Sequence, residues 1–216
     1  TGAWGEVGAQ RLVYRRHSER LRTLTTWLAR PLAAGLRLVP LTALLLLAAL
    51  GGAYLWLETL TTSPLNLLQL DGSYWLGLVV VLGAALGLSF VRTLGTAAAA
   101  MLHGQPVGLV SFGVWYGVPQ VRAEAVTSGL TSRRQAALHL TGPLLEAAVS
   151  GVLALLSFTA APGPREQATL LMATVGFVAV FLALGPGASS ALSRRPASAH
   201  SRWGNAGAGT RDTAHG

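Results

Sequence analysis

The chain has 216 residues, of which 51% are apolar and only 11% charged, and its net charge is +8. Charge this sparse cannot coat a soluble globule, which carries about 25% charged residues, and the absence of cysteine excludes a disulfide framework or a thiolate metal site. The class that remains is an integral membrane protein, in which arginines beside apolar segments set orientation and do not call for nucleic acid as a partner.

All 16 basic residues are arginine and none is lysine, a usage that suggests a GC-rich bacterial genome. Residues 1–38 form a basic N-terminal segment holding Arg11, Arg15, Arg16, Arg20, Arg22, Arg30 and Arg37. No cleavable signal peptide is expected, because the first apolar run begins only near Val39. Residues 10–38 read as helix with arginine on several faces. Such a helix either docks on anionic lipid or a partner, or is a solvated juxtamembrane helix that fixes orientation.

A membrane domain is expected over residues 39–192. A bilayer core of roughly 30 Å needs about 20 apolar residues in helix, the default spanning form where lipid offers the backbone no partners. Four segments qualify: 39–57 (VPLTALLLLAALGGAYLWL), 74–101, 137–158 and 168–184. The connection 58–73 carries no arginine, whereas 103–136 carries Arg122, Arg133 and Arg134, 159–167 carries Arg165, and the tail carries Arg194, Arg195, Arg202 and Arg211. The alternation predicts four spans with both termini cytoplasmic. Gly83 and Gly87 make a G-x-x-x-G in the second span, a candidate for close helix packing or a partner interface. Residues 193–216, rich in Gly, Ala and Ser, have little to bury and are expected to be disordered.

Between the second and third spans, QPVGLVSFGVWYGVPQV alternates like a strand and is interrupted by Gly108, Gly113 and Gly117. The pattern predicts a membrane-associated β-hairpin turning near Gly113 or Gly117. The expected architecture is therefore all-α, with four transmembrane helices and this one small hairpin. The hairpin serves either as a platform whose edge takes an extended peptide, with Trp115 and Tyr116 as contact residues, or as a plug between helices.

Ionisable residues inside spans are costly and usually face a bundle interior or a water-filled cavity. Arg92, Thr96 and His103 lie within about 40° of one another on a helical wheel. His139, Pro143, Glu146 and Ser150 share a face of the third span, so an Arg92–Glu146 pair is geometrically reasonable. The pair either fixes helix register or lines a polar pocket for a peptide. In the pocket reading Glu146, His139 and His103 are the acid/base candidates and Arg92, Thr93 and Thr96 the substrate contacts. Two alternatives stand beside it: Arg92 snorkels to the headgroups, and His103 is a solvated helix end. No Gly-rich phosphate loop, G-x-S-x-G or nucleic-acid module is present.

Residues 74–158, about two fifths of the chain, resemble the site-2-protease-type intramembrane zinc metalloproteases. The likeness rests on the order and spacing of several pieces: Gly95 with Ala97–Ala100, His103-Gly104 with Val107 and Phe112-Gly113, Val118-Pro119, and Thr141-Gly142-Pro143-Leu144-Leu145-Glu146. In that family H-E-x-x-H supplies two zinc ligands and the water-activating Glu. Here Arg92 stands for the first His, Thr93 for the Glu and Thr96 for the second His. The family's third ligand is an Asp of a late Leu-Asp-Gly. Residues 184–192 hold no acid, and Leu70-Asp71-Gly72 falls before the second span, where it reads as a loop turn. A guanidinium repels a dication and threonine hydroxyls are poor zinc ligands, so neither a metal nor any other cofactor is expected.

The resemblance implies a non-proteolytic membrane subunit that positions a peptide substrate or a catalytic partner chain, in maturation of a ribosomally made bacterial peptide. The alternative is a metal-independent enzyme, epimerising or dehydrating a peptide in an Arg92/His139/Glu146 pocket. A small transporter or assembly factor is a third class. The partners implied are membrane lipid, a second protein subunit and a peptide, and no nucleic acid.

Overall fold

A computed structural model describes residues 12–39, 41–61, 67–115, 118–125, 129–160 and 162–184. Among these are five helices: α1 (Glu19–Leu38), α2 (Leu41–Thr61), α3 (Tyr74–Leu102), α4 (Ser132–Thr159) and α5 (Pro164–Leu184). Three strands accompany them: β1 (Leu12–His17), β2 (Val107–Trp115) and β3 (Val118–Ala125). The expected tail from residue 193 lies outside the described residues.

Helices α2 to α5 are each long and apolar enough to cross a membrane, as the hydropathy pattern predicts. α3 is the longest, with 29 residues, or about 43 Å at 1.5 Å per residue, which exceeds the ~30 Å hydrocarbon core. The surplus lies beyond Val91, in the run from Arg92 to Leu102. α4 is the hub and packs on α2, α3 and α5. Half of its apolar window is buried, against 17% for α2. Most of its buried residues are small (Gly142, Ala147, Ala148, Ser150, Gly151, Ala154 and Ser157), beside Leu138, Pro143, Leu145 and Glu146.

Two crossings show why small residues stand there. Gly51 of α2 and Gly151 of α4 meet backbone to backbone, and a Cβ on either would strike main-chain atoms of the other helix. Gly95 of α3 and Gly142 of α4 meet in the same way. Gly83 and Gly87, the G-x-x-x-G expected to pack helices, have nothing within 4 Å and take no part in packing within the chain.

The outer surface of the bundle is apolar. Trp56 is 67% exposed, Trp75 77%, Phe158 75% and Phe181 77%. Trp56, Tyr74, Trp75 and Phe158 gather at one end, where α2 and α4 finish and α3 begins, and Tyr54 meets Phe158 edge to face at 5.9 Å. Aromatics ringing one end of an apolar bundle are the pattern of a membrane interface. At that end Asp71 and Gly72, both at positive φ, turn the chain between the bridged residues Leu70 and Ser73. Leu-Asp-Gly is thus a tight turn, as its place before the second span predicts.

The hairpin forms where the alternation places it. β2 runs unbroken through Gly113, which pairs with Gln120, so the reversal falls between Trp115 and Val118 and not at Gly113. Two features depart from the sequence reading. The sheet has three strands, in the order β1-β2-β3, all antiparallel. The third comes from the N-terminal segment expected to be helical: β1 pairs with β2 in the register Arg15↔Gly113 and Arg16↔Phe112. Helix starts only at Glu19, with Ser18 as N-cap accepting from the Leu21 N–H at 3.3 Å and Glu19 pairing with Arg22 at 2.8 Å. α1 then lies across the far half of α3 and the sheet, burying Ala29 and Ala33 against Ala97, Ala98, Val107, Val110 and Val121.

Candidate functional site

The polar centre of the bundle joins three helices through one side chain. Arg92 projects from α3, and its Nε donates to Glu146 Oε2 of α4 at 2.5 Å. Its Nη2 pairs with the same carboxylate and donates to the Ala179 carbonyl of α5 at 2.9 Å. Glu146 is 1% exposed and the Arg92 side chain 17%. A buried charge with one partner removed costs about 3–5 kcal/mol, so each of these residues requires the other.

Glycine makes room for this pair. A side chain at 142 would collide with Thr96 Oγ1 and the backbone and Cγ of Arg92. With none there, α4 seats directly on the turn of α3 that carries the guanidinium. Ser150 continues the buried face one turn beyond Glu146, donates to the Glu146 carbonyl at 2.8 Å and fits against Gly176 of α5. Pro143, within α4, is buried beside Gly142.

A second polar contact ties α3 to the sheet, and the sequence reading did not foresee it. The Val121 N–H of β3 donates to Ser89 Oγ at 3.0 Å. Thr93 Oγ1 lies 2.9 Å from the Val121 carbonyl and 2.9 Å from the Ser89 carbonyl, its one proton serving either. Two hydroxyls one helical turn apart therefore take both main-chain groups of a single strand residue. In doing so they blunt an edge that would otherwise offer unpaired backbone groups. Pro119, two residues before Val121, has no N–H to satisfy on that side. The signal was available as a pair of small hydroxyl residues at i and i+4 in an apolar span.

The predicted site residues thus separate into several places. Arg92 and Glu146 meet as expected. Thr96 donates to the Arg92 carbonyl at 3.1 Å and packs on Gly142, so it belongs to the same crossing. Thr93 is buried but faces β3, away from Glu146. His139 does not join a pocket with the pair. It is exposed near the start of α4, seven residues before Glu146 and so about 10 Å away along the axis. His103 caps α3, its N–H reaching the Ala99 and Ala100 carbonyls at 3.2 and 3.1 Å. It lies eleven residues from Arg92, about 16 Å along the axis. Trp115 ends β2 opposite Val118 and Leu12; its side chain, and the whole of Tyr116, lie outside the described residues.

The three positions that the resemblance sets against a zinc-binding motif therefore hold groups already spent on protein partners: a guanidinium on a carboxylate, and two hydroxyls on main-chain carbonyls. This donor set does not fit zinc. Among the described residues no three His, Cys, Asp or Glu side chains gather closely enough to hold a metal ion. No protein-family model, curated protein or solved structure matches the chain, so the site is read from its own geometry.

Proposed function

We propose that the chain is a non-proteolytic, site-2-protease-like subunit of a bacterial cell membrane, with four spans and both termini cytoplasmic. In this reading it positions a peptide, or a catalytic partner chain, during maturation of a ribosomally made peptide. One observation carries the reading: Arg92, which the resemblance sets in place of the first metal-ligating His, is consumed by Glu146 and the Ala179 carbonyl. A catalytic centre needs a group left open to the substrate, whereas this pair is closed on itself.

The sheet supports the peptide half of the proposal. β2 is internal and β3 is blunted by Ser89 and Thr93, so among the described strands the outer edge of β1 is the one left to accept an extended peptide. The arginine-poor connection at the aromatic end, with arginine-rich segments at the other, supports the orientation.

Isolation from the native membrane tests this directly. A second protein, or a peptide, is expected to come down in stoichiometric amount with the tagged chain. Stoichiometric zinc in the purified chain, or a lone monomer that processes peptide unaided, would overturn it. Glu146→Gln separates the enzyme alternative: loss of peptide product with normal assembly assigns catalysis to this chain.

A further inference from the structure

We propose that α1 is an in-plane, lipid-bound helix, and that Arg30 and Arg37 together seat the phosphate of an anionic phospholipid. The inference goes beyond the peptide-positioning role and rests only on the reading of α2 to α5 as spans.

Three sides of α1 do different things. The inner side, with Ala29 and Ala33, is covered by α3 and the sheet. A second side carries Leu24, Trp27, Pro31 and Leu38, which fall within about 60° of one another on a helical wheel, with Arg20 in the same arc only at the helix's N-terminal end. This side is uncovered: Leu24 is 46% exposed, Trp27 68% and Leu38 85%. The third side, turned roughly 100° from the apolar one, carries Arg30 and Arg37, two turns apart. These two line an open surface groove of about 220 Å³ with Ala33, Ala34 and Met101. Among the described residues neither arginine pairs with a carboxylate.

The occupant follows from where the helix ends. α1 stops at Leu38 and the first spanning helix begins at Leu41. The exposed Leu38 and Val39 thus run directly into the exposed Leu41, Leu45 and Leu46 of α2. The uncovered side of α1 is continuous with the surface that meets hydrocarbon. A guanidinium pair beside it lies at headgroup level, where its fork geometry matches a phosphodiester. Trp27 suits the same boundary, with an apolar ring body and a polar N–H. A free phosphate would satisfy the arginines and leave Trp27 and Leu38 in water; an anionic lipid satisfies both.

The absence of cysteine makes the test direct. The full chain, carrying Trp27→Cys or Leu38→Cys labelled with an environment-sensitive fluorophore, is reconstituted in vesicles of phosphatidylcholine alone or enriched in phosphatidylglycerol. Both labels are expected to resist aqueous iodide and to be quenched by nitroxide-bearing lipid. A label at the exposed Thr131→Cys serves as the aqueous reference. Phosphatidylglycerol retained through detergent purification is expected to fall roughly tenfold or more in Arg30→Gln/Arg37→Gln. It should be unchanged in Arg133→Gln/Arg134→Gln and not displaced by inorganic phosphate. Iodide access at 27 equal to that at 131 would overturn the in-plane helix. So would protection found only in native membranes, which would assign the face to a protein. Undiminished lipid retention in the double variant, or displacement by inorganic phosphate, would overturn the headgroup site.

Discussion

Gly142 of α4 sits directly on the turn of α3 that bears Arg92, close enough that any Cβ at 142 would strike Thr96 Oγ1 and the Arg92 backbone. The ion pair and the glycine are therefore one device: the missing side chain brings the carboxylate helix within reach of the guanidinium. Gly142→Leu is expected to wedge the helices apart and destabilise the bundle by about 1–3 kcal/mol or more. Gly83→Leu, at a glycine with open space around it, should leave stability unchanged. Thermal unfolding in detergent compares the two, and equal effects would contradict the packing described.

Removing one member of the Arg92–Glu146 pair leaves the other buried and uncompensated. Arg92→Met and Glu146→Leu alone are each expected to cost about 3–5 kcal/mol, and the double replacement much less than their sum. A double-mutant cycle on unfolding midpoints measures this coupling. Strict additivity would mean that the two side chains do not meet.

Ser89 and Thr93 serve opposite groups of Val121, and their removal should read differently. Ser89→Ala takes the acceptor from the Val121 N–H, so exchange of that amide should accelerate. Thr93→Val removes only a donor to the carbonyl and should leave that exchange slower than in Ser89→Ala. Each is expected to cost about 1–3 kcal/mol, the range for leaving a buried polar group unpaired. Hydrogen exchange at Val121 reads both variants.

The proposed four-span orientation has a labelling signature. Gln69→Cys, by the turn at the aromatic end, and Thr131→Cys, at the start of α4, should lie on opposite sides of the membrane. In sealed cells a membrane-impermeant maleimide is expected to modify position 69 at once and position 131 only after permeabilisation. Thr131 makes no side-chain cap hydrogen bond, so its replacement should not perturb α4.

Much of this architecture was legible before any coordinates. Spans declare themselves because each must be apolar along its whole length, and the expected extension of the second span to residue 101 agrees with α3 ending at Leu102. Arg92 and Glu146 were legible because charge inside a span is expensive enough to demand a partner. β1 was hidden. Its six residues carry two arginines, and its pairing with β2 depends on a contact some 95 residues away that no local pattern encodes. His139 shows the limit of wheel reasoning: it shares a face with Glu146, but the face leaves the protein interior one turn before reaching it. The hydroxyl clamp of Ser89 and Thr93 escaped because small polar residues are common in spans, and only the placement of β3 gives this pair a role.

The middle strand of the sheet is laid down long after its first neighbour. When β1 leaves the ribosome, β2 does not yet exist, and α2 and α3, two helices apolar enough to cross a membrane, are made between them. Until then LVYRRH waits without a ladder. The sheet closes only after α3 has been made, so pairing of the amino-terminal strand marks a chain complete through its longest helix.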